Sequence, residues 1–214
     1  MGTKTQILHM VALFCCAAIF TKCDPPRFDC SENKYTFLTT ISAYPDKDSI
    51  RVGDTIWFEA NIPSKLIDTA TRQLVDYSNA GNMGIGIGFV IFNGLGDILN
   101  PGVSPAADSF YCLLEIGNAL PNTVLPEQNR NYSLMESNNQ YSFRLGVVPK
   151  KRGIYLIGAA DAPNVYRKSD ACTKAYFAIS FLNTNQHLYY IEQNRPGYIQ
   201  TEFDKAHAYC MKVY

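Results

Sequence analysis

The groups in this chain that could move a proton near neutrality are few. Of three histidines, His9 falls in an N-terminal apolar run, which leaves His187 and His207 as candidate bases. Paired with Cys112 or Cys210, His207 would supply a nucleophile and its base. However, His207 falls in a helix-spaced segment and His187 opens an aromatic one, His187-Leu188-Tyr189-Tyr190-Ile191, so structural roles fit both better. Two carboxylates, Asp161 and Asp170, bracket a polar stretch holding Asn164, Tyr166, Arg167 and Lys168. Loops on rigid scaffolds often carry function, and this set could read a sugar or a peptide; a solvated connection between strands is the plainer account. Asp46 and Asp48 supply only two positions of a calcium loop. The run Gly81, Gly84, Gly86, Gly88 invites comparison with a phosphate cradle, but its glycines alternate with isoleucines inside a strand pattern, which points to close packing instead. No Gly-x-Ser-x-Gly elbow and no His-Glu-x-x-His helix is present. The sequence assigns no catalytic, metal or cofactor residue, and no cofactor is expected.

Composition narrows the classes further. Lys+Arg and Asp+Glu are balanced at 19 each, which removes the basic footprint of a nucleic-acid binder. No polybasic patch is offered to an acidic membrane. With 47% hydrophobic and 18% charged residues over 214 positions, the chain can build one substantial core.

The first 22 residues read as a signal peptide. Lys4 precedes an apolar run from Ile7 to Phe20, shorter than the roughly 20 residues of a spanning helix. Pro25 and Pro26 then stop it. Cys16 and Ala18 make a mediocre site for an ordinary signal peptidase. Phe20-Thr21-Lys22-Cys23 resembles a lipobox, although Phe20 and Lys22 depart from its usual residues. Lipidation of Cys23 would hold the protein to a bilayer through several acyl chains, with residues 23–34 as a tether and 35–214 as one domain. Of seven cysteines, Cys30, Cys112, Cys172 and Cys210 would then remain, an even set suited to an oxidising compartment. Three pairings are possible; Cys172 with Cys210 is preferred, since it would pin the C-terminal segment to the last strong strand.

Strand patterns fill most of the remainder. Residues 35–44 put Tyr35, Phe37 and Ile41 on one face, and Ile56, Phe58, Ala60 and Ile62 alternate inward after a bend at Gly53-Asp54. Further runs cover 85–92, 110–116, 141–148, 154–160 and 175–182, with a hairpin turn expected at 149–153. Residues 63–82 admit either a short helix or an edge strand. Near the end, Ile199, Phe203, Ala206, Cys210 and Val213 recur at helical spacing, which predicts a helix starting near Thr201. The expected fold is mainly β: an antiparallel β-sandwich with a C-terminal helix.

Val52-Gly-Asp-Thr-Ile-Trp-Phe58 resembles the entry to an early strand of immunoglobulin-like domains. Tyr141-x-Phe143 followed by Pro149-x-x-x-Gly153-x-Tyr155 is similar to the hairpin that brings a tyrosine to a corner in such sandwiches. The Gly-Asp-Thr-Ile-Trp phrase, with Val75-Asp-Tyr-Ser-Asn79 after it, also resembles uncharacterised envelope lipoproteins of the Bacteroidota type. These likenesses imply an Ig-like or related sandwich and an exported, membrane-anchored location, with no activity attached. The expected function is a non-catalytic binding or assembly module for a glycan or an envelope protein, using residues 161–170 and 93–108. An envelope hydrolase built on carboxylates or a Cys-His pair is the alternative.

Overall fold

Alternation of large apolar residues with small or polar ones forces most of the chain into half-buried strands. The computed structural model describes residues 32–92, 102–183, 186–197 and 199–214. The signal segment, Cys23, Cys30 and residues 93–101 lie outside the described residues. The first third forms β1 (Asn33–Tyr44), β2 (Ser49–Ile50), β3 (Ile56–Pro63), β4 (Lys65–Ile67), β5 (Leu74–Asp76), β6 (Ala80–Gly81) and β7 (Gly84–Phe92). Next come β8 (Val103–Pro105), β9 (Phe110–Ile116), β10 (Asn118–Leu120), β11 (Asn129–Ser133) and β12 (Met135–Ser137). The long strands β13 (Gln140–Pro149), β14 (Gly153–Ala160), β15 (Ala162–Arg167) and β16 (Asp170–Phe181) follow. Two short helices, α1 (Tyr189–Asn194) and α2 (Glu202–His207), precede the last strand, β17 (Ala208–Val213).

The strands make a sandwich. One sheet runs β12-β13-β3-β1-β16-β15-β6, with β9 also on β13; the other runs β10-β11-β7-β14-β17-β2, with β8 on β7. Two pairings, β1 with β16 and β17 with β2, are parallel. The other pairings are antiparallel, as expected. Inward residues of both sheets form one core in which Phe37, Ile56, Phe58, Ile87, Phe89, Leu145, Ile157 and Phe177 are fully buried. Aromatic edges interlock there, Phe37 against Phe177 at 5.0 Å and Phe110 against Tyr155 at 4.8 Å between centroids.

Residues 63–82 form strands rather than a helix. β4 and β5 pair as a hairpin, and Asp68 in its connection holds it down. The Asp68 carboxylate accepts the Thr36 N–H of β1 at 2.9 Å and the Thr71 N–H and hydroxyl at 2.7 Å. The Thr36 bond, then those from Thr71, hold this carboxyl below its usual range.

The turn expected to close a hairpin at 149–153 does something else. β13 belongs to the first sheet and β14 to the second, so the turn is a corner between layers. The Tyr155 hydroxyl donates to the Lys151 carbonyl at 3.1 Å, four residues upstream. That is the bond a tyrosine corner makes. Tyr141 ties down another crossing: its hydroxyl donates to the Tyr77 carbonyl at 2.6 Å and accepts the Ala80 N–H at 2.8 Å.

Two expectations at the C-terminus are corrected. The helix does start at Thr201, whose side chain and Asp204 form a reciprocal capping box, but it ends at His207. Residues 208–213 are a strand buried on both faces, between β14 and β2. A doubly buried strand has no alternation to betray it, so 206, 210 and 213 match helical spacing by coincidence. Cys172 and Cys210 are not joined. Cys210 is a free, fully buried thiol on β17, beneath Tyr190 and Ile191 of α1, and burial raises its pKa. Cys172 lies exposed at the start of β16. Cys112 is also free.

Candidate functional site

The glycine run occupies the outer face of the second sheet. Ile85, Ile87 and Phe89 are buried, so Gly84, Gly86 and Gly88 between them face outward. On one side Asn129 stands opposite Gly88 and Asn131 opposite Gly86; on the other Gly158 stands opposite Gly88. With no side chain at 88 or 158, the sheet surface sinks, and α2 rises beside it against β14 and β17. The result is an open cleft of about 230 Å³, floored by Gly88 and Gly158 and walled by Gln128, Asn129, Phe203 and His207.

The walls differ in character. Phe203 is 62% exposed and stacks on His207 at 4.2 Å between centroids. Facing it, the side-chain amides of Gln128 and Asn129, half-buried, make no hydrogen bond among the described residues, nor does that of Asn131 farther along β11. An apolar floor with a few converging polar groups is the usual make-up of a small-molecule site.

His207 is held by the fold. Its Nδ1 lies 3.1 Å from the Ala159 carbonyl and 3.7 Å from Asp161 Oδ1. Asp161 is itself engaged, accepting the Ile179 N–H at 2.7 Å and the Tyr176 hydroxyl. Its bond to Asp161 raises the Tyr176 pKa to about 12. The described residues lining the cleft include no hydroxyl and no thiol. Asp204, also on the cleft, accepts the N–H and hydroxyl of Thr201 in the helix cap.

His187 belongs elsewhere. It is buried, with Nε2 3.1 Å from Asp46 Oδ1. The Tyr209 hydroxyl lies 3.2 Å from the same oxygen and 3.0 Å from the Lys47 carbonyl. Asp48 instead accepts Ser49 and Tyr189 hydroxyls, bonds that lower its pKa. The two aspartates of the calcium-like fragment therefore brace separate parts of the turn after β1.

The expected ligand loop, 161–170, is a strand and a tight turn. Its members disperse. Asp161 lies behind the cleft, while Asn164, in the left-handed region at φ 57°, donates its N–H to Asn33. Arg167 lies over the Tyr77 ring at 5.0 Å, and Asp170 accepts the Cys172 N–H and the Thr173 hydroxyl. Tyr166 and Lys168 line a second cavity of about 470 Å³, together with Gly81, Asn82, Ser133 and Glu136. A shift in register between Ala162 and Val165 breaks the alternation of β15, which is why its sequence reads as loop. Sequence reasoning missed Gln128, Asn129 and Phe203; the outward glycines were the one available signal. Comparison of the chain with protein-family models, curated proteins and solved structures gives no match.

Proposed function

We propose that this chain is an exported envelope lipoprotein of the Bacteroidota type, anchored through Cys23, whose sandwich is a non-catalytic binding module. Its ligand site is the cleft beside Phe203, and the ligand is a small, neutral, polar molecule of about one sugar ring. The observation that carries this is the pairing of unengaged amides on Gln128 and Asn129 with an apolar floor and an open aromatic face. Amides satisfy hydroxyl groups in either direction, and an aromatic face suits the C–H side of a sugar ring. The competing hydrolase reading has His207 in the cleft, but Asp161 is already engaged by Tyr176 and Ile179, and the lining offers no nucleophile with a hydroxyl or thiol.

The site is tested by titrating the ¹⁵N-labelled domain with glucose, galactose, mannose and N-acetylglucosamine. At least one is expected to shift the amide signals of Gly88, Asn129 and Gly158. Gly158→Val should abolish those shifts with the fold intact, since a Cβ there meets nothing closer than the His207 carbonyl at 3.8 Å. Shifts from none of the four would sink the proposal. The anchor has a separate test: an alkynyl fatty acid fed to cells is expected to label the wild type and not Cys23→Ser, and an unlabelled wild type would refute it.

A further inference from the structure

A strand at the edge of a sheet leaves one row of backbone N–H and C=O groups without partners, and folded domains keep such edges short. Among the described residues, every strand with a single neighbour is two or three residues long except β9, which has seven. Its one neighbour is β13. Lys150 donates its N–H to the Ser109 carbonyl at 2.8 Å, beside the facing pair Pro149 and Phe110, which sets the phase of this ladder. Ser109, Tyr111 and Leu113 therefore turn their backbone groups to β13, and Phe110, Cys112 and Leu114 turn theirs to the open edge. No lysine, arginine or proline blunts residues 110–116, and Tyr111 and Leu113 stand 62% and 48% exposed. We infer that β9 is an interface: it pairs antiparallel with β9 of a second copy of this chain, about a two-fold axis at Cys112.

Three observations select that occupant. The first is register. Arg144 faces Ile116 while Leu145 faces Leu114, so Glu115 is an extra residue and the regular edge ends at Leu114. That leaves Phe110 to Leu114, with Cys112 at the midpoint. Centred there, Phe110 faces Leu114 of the second copy and Cys112 faces Cys112, each pair exchanging two N–H···O=C bonds, about six in all. The second is that apolar groups meet on both faces. Phe110, Cys112 and Leu114 already pack on the core, and on the solvent side Tyr111 faces Leu113 of the second copy, twice over. A second copy carries this pattern by symmetry. The third is charge. Lys150 stands at one end of β9, over the Tyr111 ring at 4.7 Å, and is followed by Lys151 and Arg152. At the other end Arg144 is shared by two carboxylates, Glu59 and Glu115, each at 2.9 Å, which leaves a net negative charge. Antiparallel pairing sets the cationic end of each copy against the acidic end of the other. No residue of β9 lines the cleft, so this interface stands or falls apart from the ligand site.

The test is sedimentation velocity of the purified protein over concentrations from about 5 to about 500 μM, a span that covers micromolar affinities. The mass is expected to rise from one chain toward two. Leu113→Lys places a cation against Tyr111 and Lys150 of the second copy and should weaken the dimer about 10-fold or more. Its thermal unfolding at the lowest concentration should match the wild type, because Leu113 lies on the solvent face. Cys112→Pro removes an N–H that faces the open edge and spares the β13 ladder, so it should weaken the dimer as well. Hydrogen exchange locates the contact: the Phe110, Cys112 and Leu114 amides should slow about 10-fold or more as the wild type associates, and stay fast in Leu113→Lys. A one-chain mass at every concentration would overturn the inference and leave the edge to a strand from another protein. A dimer that persists in both variants, with those amides still fast, would place the contact elsewhere and refute the pairing of β9.

Discussion

Phe58→Ala is expected to cost about 3–5 kcal/mol of stability. Phe58 is fully buried on β3, where its ring meets Phe181 at 5.9 Å and Tyr209 at 6.1 Å, both edge-on. Truncation therefore removes transfer energy and opens a cavity where the two sheets meet. Neither sheet can close onto it easily, because Phe58 faces Leu145 and Ala43 across two ladders, and moving it would disturb both registers. For a domain near this length the melting temperature should fall by about 6–20 °C. Thermal unfolding followed by near-ultraviolet circular dichroism checks it, and a shift below 3 °C would mean the core is looser than the packing implies.

Alkaline pH should unfold the domain with unusual steepness. Burial raises the phenol pKa of Tyr77 and Tyr141 to about 12, and it also raises those of Tyr132, Tyr155 and Tyr209. In the unfolded chain each titrates near 10. The folded state then binds more protons than the unfolded state between those values, so stability falls as pH rises through that window. The contribution is fully present below pH 10. Each tyrosine adds at most about 1.4 kcal/mol per pH unit to the slope. Tyr141 is the most exposed to this test, since ionisation would cost its bond to the Tyr77 carbonyl at 2.6 Å. Denaturant midpoints measured from pH 8 to 12 should be flat to about 10 and then drop sharply. Tyr141→Phe should lower the plateau and soften the drop, and a drop of equal steepness in this variant would remove Tyr141 from the explanation.

Much of the sandwich was legible because its strands are two-sided. In β3 the inward set Ile56, Phe58, Ala60, Ile62 alternates with outward Trp57, Glu59 and Asn61, and a period of two has no other ready explanation. The start of α2 was equally legible, since a Thr201–Asp204 capping box is written in four consecutive residues. Legibility ended where burial on both faces or a bulge erased the period, as in β17 and β15.

The amino-acid sequence by itself determined which residues turn inward, where a helix begins, and that the glycines at 84, 86 and 88 sit in a strand. These depend only on neighbours a few positions away. The tertiary structure decided what those elements meet. The turn at 149–153 crosses between sheets because β13 and β14 each find partners in different layers, a choice no local pattern encodes. Cys210 stays a free thiol because α1 seals it against the second sheet, while Cys172 opens the outer end of β16. The cleft exists because β11, β7, β14 and α2, separated by tens of residues, bring two amides, two glycines and one ring to a single place. Long-range pairing sets such a site, and each of its residues, read alone, is ordinary.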